Sequence, residues 1–162
     1  MEIRAATVDD ADALARIHVQ SWAETFPGLL PEEEIAAHTY DLRAAQWQGA
    51  LSRGTTRIVL ADGAGFAQVG PQREAGLRAD YPEELYALYT LGSAQGRGLG
   101  RALVRAALGE APRPFTAVML AANHRAHAFY TRIGGVVIGR AMGQDGFEDL
   151  IFGWRDPTNV HV

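Results

Sequence analysis

Residues 95–100 (QGRGLG) constrain this chain more than any other stretch, because three glycines at alternate positions stand between an apolar strand and a helix. Leu85 to Leu91 reads as a strand rich in large side chains. It runs through Gly92, Ser93 and Ala94 into Gln95-Gly96-Arg97-Gly98-Leu99-Gly100. Arg101 to Leu108 then reads as a helix, with Leu99, Leu103, Ala106 and Ala107 at helical spacing and Pro112 and Pro114 beyond its end. Alternating glycines let the backbone turn while no Cβ blocks approach to it. Unpaired amides at the following helix start, with the positive end of the helix dipole, form an anion site suited to a pyrophosphate. Arg97 and Arg101 can add charge-assisted bonds to phosphate oxygens. By itself, however, the pattern is also what a plain strand-to-helix turn requires.

Other phosphate-binding schemes do not fit. A G-x-G-x-x-G dinucleotide turn starting at Gly96 needs glycine where Arg101 stands, and a start at Gly98 fails likewise. The chain has no lysine, which excludes a Walker loop and a Schiff base to pyridoxal phosphate. It has no cysteine, which excludes disulfides, a thiolate nucleophile and Cys-based zinc sites. A formal charge of −4 gives no basic field for nucleic acid, so no nucleic-acid partner is expected. No apolar stretch approaches the ~20 residues of a membrane span, and the start MEIRAATVDD lacks the order of a signal peptide. No membrane partner is expected, and a cytoplasmic location is the default expectation.

Elsewhere the pattern alternates strands and helices. Glu2 to Ala6 reads as a strand, Ala11 to Trp22 as a helix begun by Thr7, Asp9 and Asp10, and Glu32 onward as a second helical region running, with a break, towards Leu51. Thr56 to Ala61 and Gly65 to Val69 read as a hairpin about Asp62-Gly63, and residues 72–82 as a polar, flexible stretch. Phe115 to Leu120 is a strand. Asn123 caps a helix through Ile133 that Gly134-Gly135 stops, and Val136 to Gly139 and Leu150 to Trp154 are the last strands. This order predicts an α/β (α+β) sheet with helices on its faces, in one domain over residues 1–162.

Two spaced motifs give the pattern a closer parallel. Gln95-x-x-Gly98-x-Gly100 after a strand resembles the Q/R-x-x-G-x-G/A signature of the GNAT superfamily of N-acetyltransferases. Downstream, Asn123, Ala126, Phe129-Tyr130 and Gly134 match that family's N-x-x-A-x-x-F-Y-x-x-x-G spacing, and IRAATVDDADALARIHVQSW looks like its opening strand and helix. The resemblance implies a mixed, mostly antiparallel sheet of about seven strands, splayed between the fourth and fifth. It also implies an acetyl-CoA-dependent N-acetyltransferase acting on a primary amine by direct attack in a ternary complex; the lack of a basic or extended apolar docking surface in the sequence favours a small-molecule acceptor. A coenzyme A-binding module without chemistry, or a transferase for a protein N-terminus, is the alternative. No metal is implied, and dimers are common in the family.

On the same resemblance, acetyl-CoA binds Gln95, Gly96, Arg97, Gly98, Leu99, Gly100 and Arg101 through its pyrophosphate, and Leu88, Tyr89 and Thr90 through pantetheine. Pantetheine pairs with strand backbone as an added strand would. Tyr130 matches the tyrosine that protonates the leaving thiolate, and Asn123 contacts the pantetheine arm or caps its helix; Tyr130 would equally suit a packed aromatic face. Glu84 falls where some members place a general base, although Glu83 is adjacent and a strand-start glutamate needs no such role. The ribosomal-protein type of site places a glutamate where this chain has Val118. His18, Trp22 and Glu24 fall where relatives line the acceptor pocket, with residues 23–40 and 72–84 at its mouth. His18 also suits a packed helix face, and His124 with His127 lacks a third metal ligand.

Overall fold

The first helix is started by its flanking side chains. In the computed structural model, which describes residues 1–161, Thr7 and Asp10 close a capping box. Arg4 places two bonds of 2.9 Å on Asp10 and also reaches Asp62. The Arg4 bonds hold the Asp10 carboxyl at about 2, below its usual 3.8. These contacts anchor a two-residue strand β1 (Arg4–Ala5), which pairs antiparallel with β2 (Arg57–Ala61), to helix α1 (Ala11–Thr25).

Helices α2 (Glu32–Ala37) and α3 (Tyr40–Arg53) follow α1, and β3 (Gly65–Pro71) follows β2. Then come β4 (Glu83–Thr90), α4 (Leu99–Leu108), β5 (Phe115–Leu120), α5 (His124–Arg132), β6 (Val136–Met142) and β7 (Glu148–Trp154). The seven strands lie in the order β1-β2-β3-β4-β5-β7-β6, flanked by the helices. β5 and β6 both pair antiparallel with β7, whereas β4 and β5 run parallel with Glu83–Leu85 opposite Phe115–Ala117. The mixed α/β sheet expected from the sequence is present.

Several boundaries differ from expectation. β1 is shorter than Glu2 to Ala6, since its register against β2 covers Arg4 and Ala5 alone. The break expected in the second helical region falls at His38, and the helix restarts where the Thr39 hydroxyl accepts the Leu42 amide. The stretch after β3 is tied down rather than loose: buried Gln72 has its Nε2 within bonding distance of Tyr81 O, Glu83 O and Thr116 Oγ1, and its carbonyl accepts Arg78 Nε.

The chain divides into two compact units, Met1–Gln68 with Ala87–Ala107, and Val69–Tyr86 with the residues from Leu108 onward. The first is built on Leu14, Ile17, Trp47, Leu60, Phe66 and their neighbours. In the second, Phe115 and Trp154 face each other across β5 and β7 and stack at 4.4 Å. Trp154 Nε1 donates to Ile133 O. A Cβ at Gly135 would lie 2.5 Å from Trp154 Cζ2, so the glycine after α5 lets the indole close over the helix end. Gly135→Ala is therefore expected to destabilise the fold by about 1–3 kcal/mol, read as a lower urea midpoint at unchanged slope; an unchanged midpoint would contradict this packing.

Candidate active site

The turn between β4 and α4 is held by one side chain and shaped by two glycines. Gln95 donates through Nε2 to Thr90 O at 3.1 Å, tying the loop to the last residue of β4. Gly96 and Gly98 have φ of 80° and 77°, which side-chain-bearing residues rarely adopt. Gly98 O accepts the Ala102 amide, so Gly98 is the residue from which α4 starts. A glycine has no side chain with which to cap, so the Leu99, Gly100 and Arg101 amides lack the usual Ncap oxygen. A Cβ at Gly96 or Gly98 would meet no protein atom within 4 Å, so open space lies over the turn. Leu99 is buried while Arg97 is exposed and Arg101 half-buried, so the turn is anchored by an apolar residue and flanked by two cations. A turn of this kind has the chemistry to receive an anionic group such as a pyrophosphate.

Within the same unit, β4 and α1 meet through aromatic rings. Leu88, Tyr89 and Thr90 are half-buried on β4. The Tyr89 hydroxyl accepts Trp22 Nε1 at 3.3 Å, and the Tyr89 ring stacks on His18 at 4.7 Å. His18 is buried, with Nδ1 accepting Trp47 Nε1 at 3.1 Å. Because an indole only donates, Nδ1 carries no proton and His18 is the neutral Nε2–H tautomer. Burial first, then the Arg43 and His38 charges, pull its pKa from 6.5 to about 3. Glu24 is exposed and accepts the Gly92 amide at 2.9 Å, which fixes the entry to the glycine loop.

The other named residues lie in the second unit. Asn123 Oδ1 accepts the Ala126 amide at 3.1 Å and caps α5, as its position suggested. Tyr130 is buried on α5, with its ring 5.5 Å from Phe152 and 5.6 Å from Trp154. Glu84 is buried, and its two oxygens accept Arg73 Nε at 3.1 Å and Nη2 at 2.6 Å, the first also taking the Arg73 amide. Arg73 in turn lies 3.8 Å over the Tyr86 ring. Among the described residues no group of three His, Cys, Asp or Glu is placed to hold a metal. Nor is any helix long and apolar enough to cross a membrane.

The family model for GNAT acetyltransferases matches residues 15–135, from α1 through the glycine turn to the end of α5. The chain belongs to the GNAT family. YuaI of Bacillus subtilis (strain 168), an uncharacterized N-acetyltransferase, is 32% identical over 104 residues, which span 63% of this chain and 59% of that relative. The chain thus covers about three fifths of that curated relative's length. The fold is shared with the PaiA N-acetyltransferase of Thermoplasma acidophilum in complex with coenzyme A, at TM-score 0.68 and 17% identity over 94% of this chain and 98% of that one. It is likewise shared with YncA of Salmonella typhimurium, a putative acetyltransferase with acetyl-CoA, at TM-score 0.65 and 20% identity over 94% and 91% of the two chains.

Two features of this GNAT chain escaped the sequence reading. One is the closure of Glu84 by Arg73, a pairing eleven residues apart that no local pattern displays. The other is Arg43, buried on α3 with its Cζ 4.6 Å over the Trp22 ring. A signal for it existed, since Arg43, Trp47 and Ala50 share one buried helix face.

The buried His18 makes stability depend on pH. The unfolded chain takes up its proton near 6.5 and the folded one only near 3, so the contribution is complete above 6.5 and lost as pH falls through that window. At pH 4.5 the loss is on the order of 2–3 kcal/mol. Urea midpoints at pH 7.5 and 4.5 should show that His18→Gln loses less stability on acidification than the parent by about that amount; equal losses would contradict it.

Proposed function

We propose that residues 1–162 act as one domain that moves an acetyl group from acetyl-CoA to the primary amine of a small molecule, in the cytoplasm and within a ternary complex. The observation that carries this reading is the uncapped start of α4 on two left-handed glycines, with Arg97 and Arg101 beside it. It is followed, in family order, by the Asn123 cap and Tyr130. The names of YuaI, PaiA and YncA support it, as does the family match.

In this reading acetyl-CoA supplies an acyl group activated as a thioester. The amides of residues 96–101 and the Arg97 and Arg101 guanidiniums hold the pyrophosphate. The backbone of Leu88, Tyr89 and Thr90 aligns the pantetheine arm, and an amide of that strand faces the carbonyl oxygen as it gains charge; Asn123 is assigned to the same arm on the family motif. The amine nitrogen forms its bond to the carbonyl carbon as the carbon–sulfur bond breaks. Tyr130 gives a proton to the departing sulfur, whose basicity is close to that of a cysteine thiolate. The amine must lose a proton. Glu84 was the sequence candidate, but its oxygens are engaged by Arg73, so we assign that proton to water and give Glu84 the task of fixing Arg73 over Tyr86. His18 has its Nδ1 lone pair committed to Trp47, so it shapes the acceptor side together with Trp22 and Glu24 without acting as a base.

Thiol release with a working acceptor tests these assignments. Tyr130→Phe is expected to lower kcat by about 10²–10⁴-fold, with KM for acetyl-CoA little changed, and unchanged turnover would remove the proton-donor role. Glu84→Gln should lower kcat/KM by less than about 10-fold, whereas a loss like that of Tyr130→Phe would return the base to Glu84.

A further inference from the structure

The acceptor side of the first unit contains a buried cation that is answered only in part. Arg43 is 8% exposed, yet among the described residues its Nε and Nη2 have no hydrogen-bond partner. Nη1 alone is engaged, donating to Gln46 Oε1 at 3.1 Å. A guanidinium does not give up its proton in proteins, so the charge stays where burial has put it. Stacking on Trp22, 4.6 Å away, answers the face of the group and leaves its edge unanswered. The surroundings do not neutralise it. His38 lies 4.7 Å from the same indole, and neutral His18 lies beyond it. Burial lowers the Arg43 pKa, with only the charge of Tyr89 opposing that fall.

The free edge has a definite shape. Nε–H and Nη2–H are coplanar and parallel, the fork that a carboxylate meets with both oxygens. The guanidinium that bears this edge also has a definite place. Trp22, on which Arg43 stacks, donates to the Tyr89 hydroxyl on β4, between Leu88 and Thr90. We infer that the Nε–Nη2 edge of Arg43 is the receptor for a carboxylate on the acceptor, so that the acceptor is an amino acid or another amine bearing a free carboxylate. This rests on the acetyl-transfer reading above for the identity of the ligand as the acceptor. The edge is closed to water here, so the carboxylate displaces a side chain on entry.

A purely structural Arg43, stapling α1 to α3 through Trp22, would affect stability and leave acceptor choice alone. Matched acceptors separate the two roles: L-phenylalanine, L-tyrosine, L-lysine and L-arginine against phenethylamine, tyramine, cadaverine and agmatine, by thiol release from acetyl-CoA and by calorimetric binding. The full-length parent is expected to favour the carboxylated member of at least one pair by about 100-fold or more in kcat/KM, since a site built for a polar group rejects an analogue lacking it. Arg43→Gln should abolish that preference by raising KM for the amino acid, with KM for acetyl-CoA unchanged, and Arg43→Lys should restore part of it. Equal use of both members by the parent, or a preference that survives in Arg43→Gln, overturns the inference. If Arg43→Gln does not fold, the parent's preference decides. If no member accepts acetyl, calorimetry on the protein with and without coenzyme A decides: binding of the amino acid and not of its amine supports the inference, and absence of binding overturns it. Failure of coenzyme A itself to bind in those titrations counts instead against the acetyl-transfer reading.

Discussion

A helix that begins on glycine leaves its first amides without a side-chain cap, and α4 begins that way on Gly98. Most helices close this gap with a serine, threonine, aspartate or asparagine, as Thr39 and Asn123 do for α3 and α5. At α4 the gap stays open, the two glycines before it hold positive φ, and Gln95 binds the loop back to Thr90. The arrangement forgoes a side-chain cap, a loss of roughly a few tenths of a kcal/mol when the cap position is glycine, and adds a further fraction in glycine entropy. An anion at that position engages amides that otherwise turn to water, which suits the loop to binding.

The first unit supports this device with aromatic packing rather than with charge pairs. His18, Trp22, Trp47, Phe66 and Tyr89 touch one another through ring contacts and two indole hydrogen bonds. Those bonds fix the His18 tautomer and place the Tyr89 hydroxyl, so they tie α1 to the end of β4. Glu24 adds a second tie through the Gly92 amide. Arg43 is the departure from this economy, because a buried cation is tolerated when something repays its lost hydration. The Trp22 face repays part, and the proposed acceptor carboxylate repays the remainder. In the second unit Phe115, Tyr130, Phe152 and Trp154 form a comparable cluster, into which the Gly134-Gly135 end of α5 is packed.

What could be read from the sequence was local in origin. The glycine turn, the Asn123 cap and the Asp62-Gly63 hairpin are each decided within a few residues, and each appears where expected. The break between α2 and α3 was harder to place, since neither His38 nor Thr39 is a glycine or proline; only the Thr39 cap marks the restart. Gln72 looked like part of a flexible stretch because its partners, Glu83 and Thr116, are supplied by β4 and β5. Glu84 looked like a free strand-start carboxylate for the same reason, Arg73 being brought to it by the approach of β3 to β4. Arg43 belongs to no local motif, although its place beside Trp47 and Ala50 on a buried face marks it as unusual. Side chains whose partners are distant in the chain are the ones that local pattern leaves undetermined.

The central claim is that backbone amides of the glycine turn and of the first turn of α4 hold the pyrophosphate of coenzyme A. Amide-resolved NMR during a coenzyme A titration tests it most directly. The account predicts that the largest shifts fall on the amides of Gly96, Arg97, Gly98, Leu99, Gly100 and Arg101, and that inorganic pyrophosphate moves the same set at higher concentration. Saturable binding of coenzyme A that leaves those amides in place, or no binding at all, would contradict it.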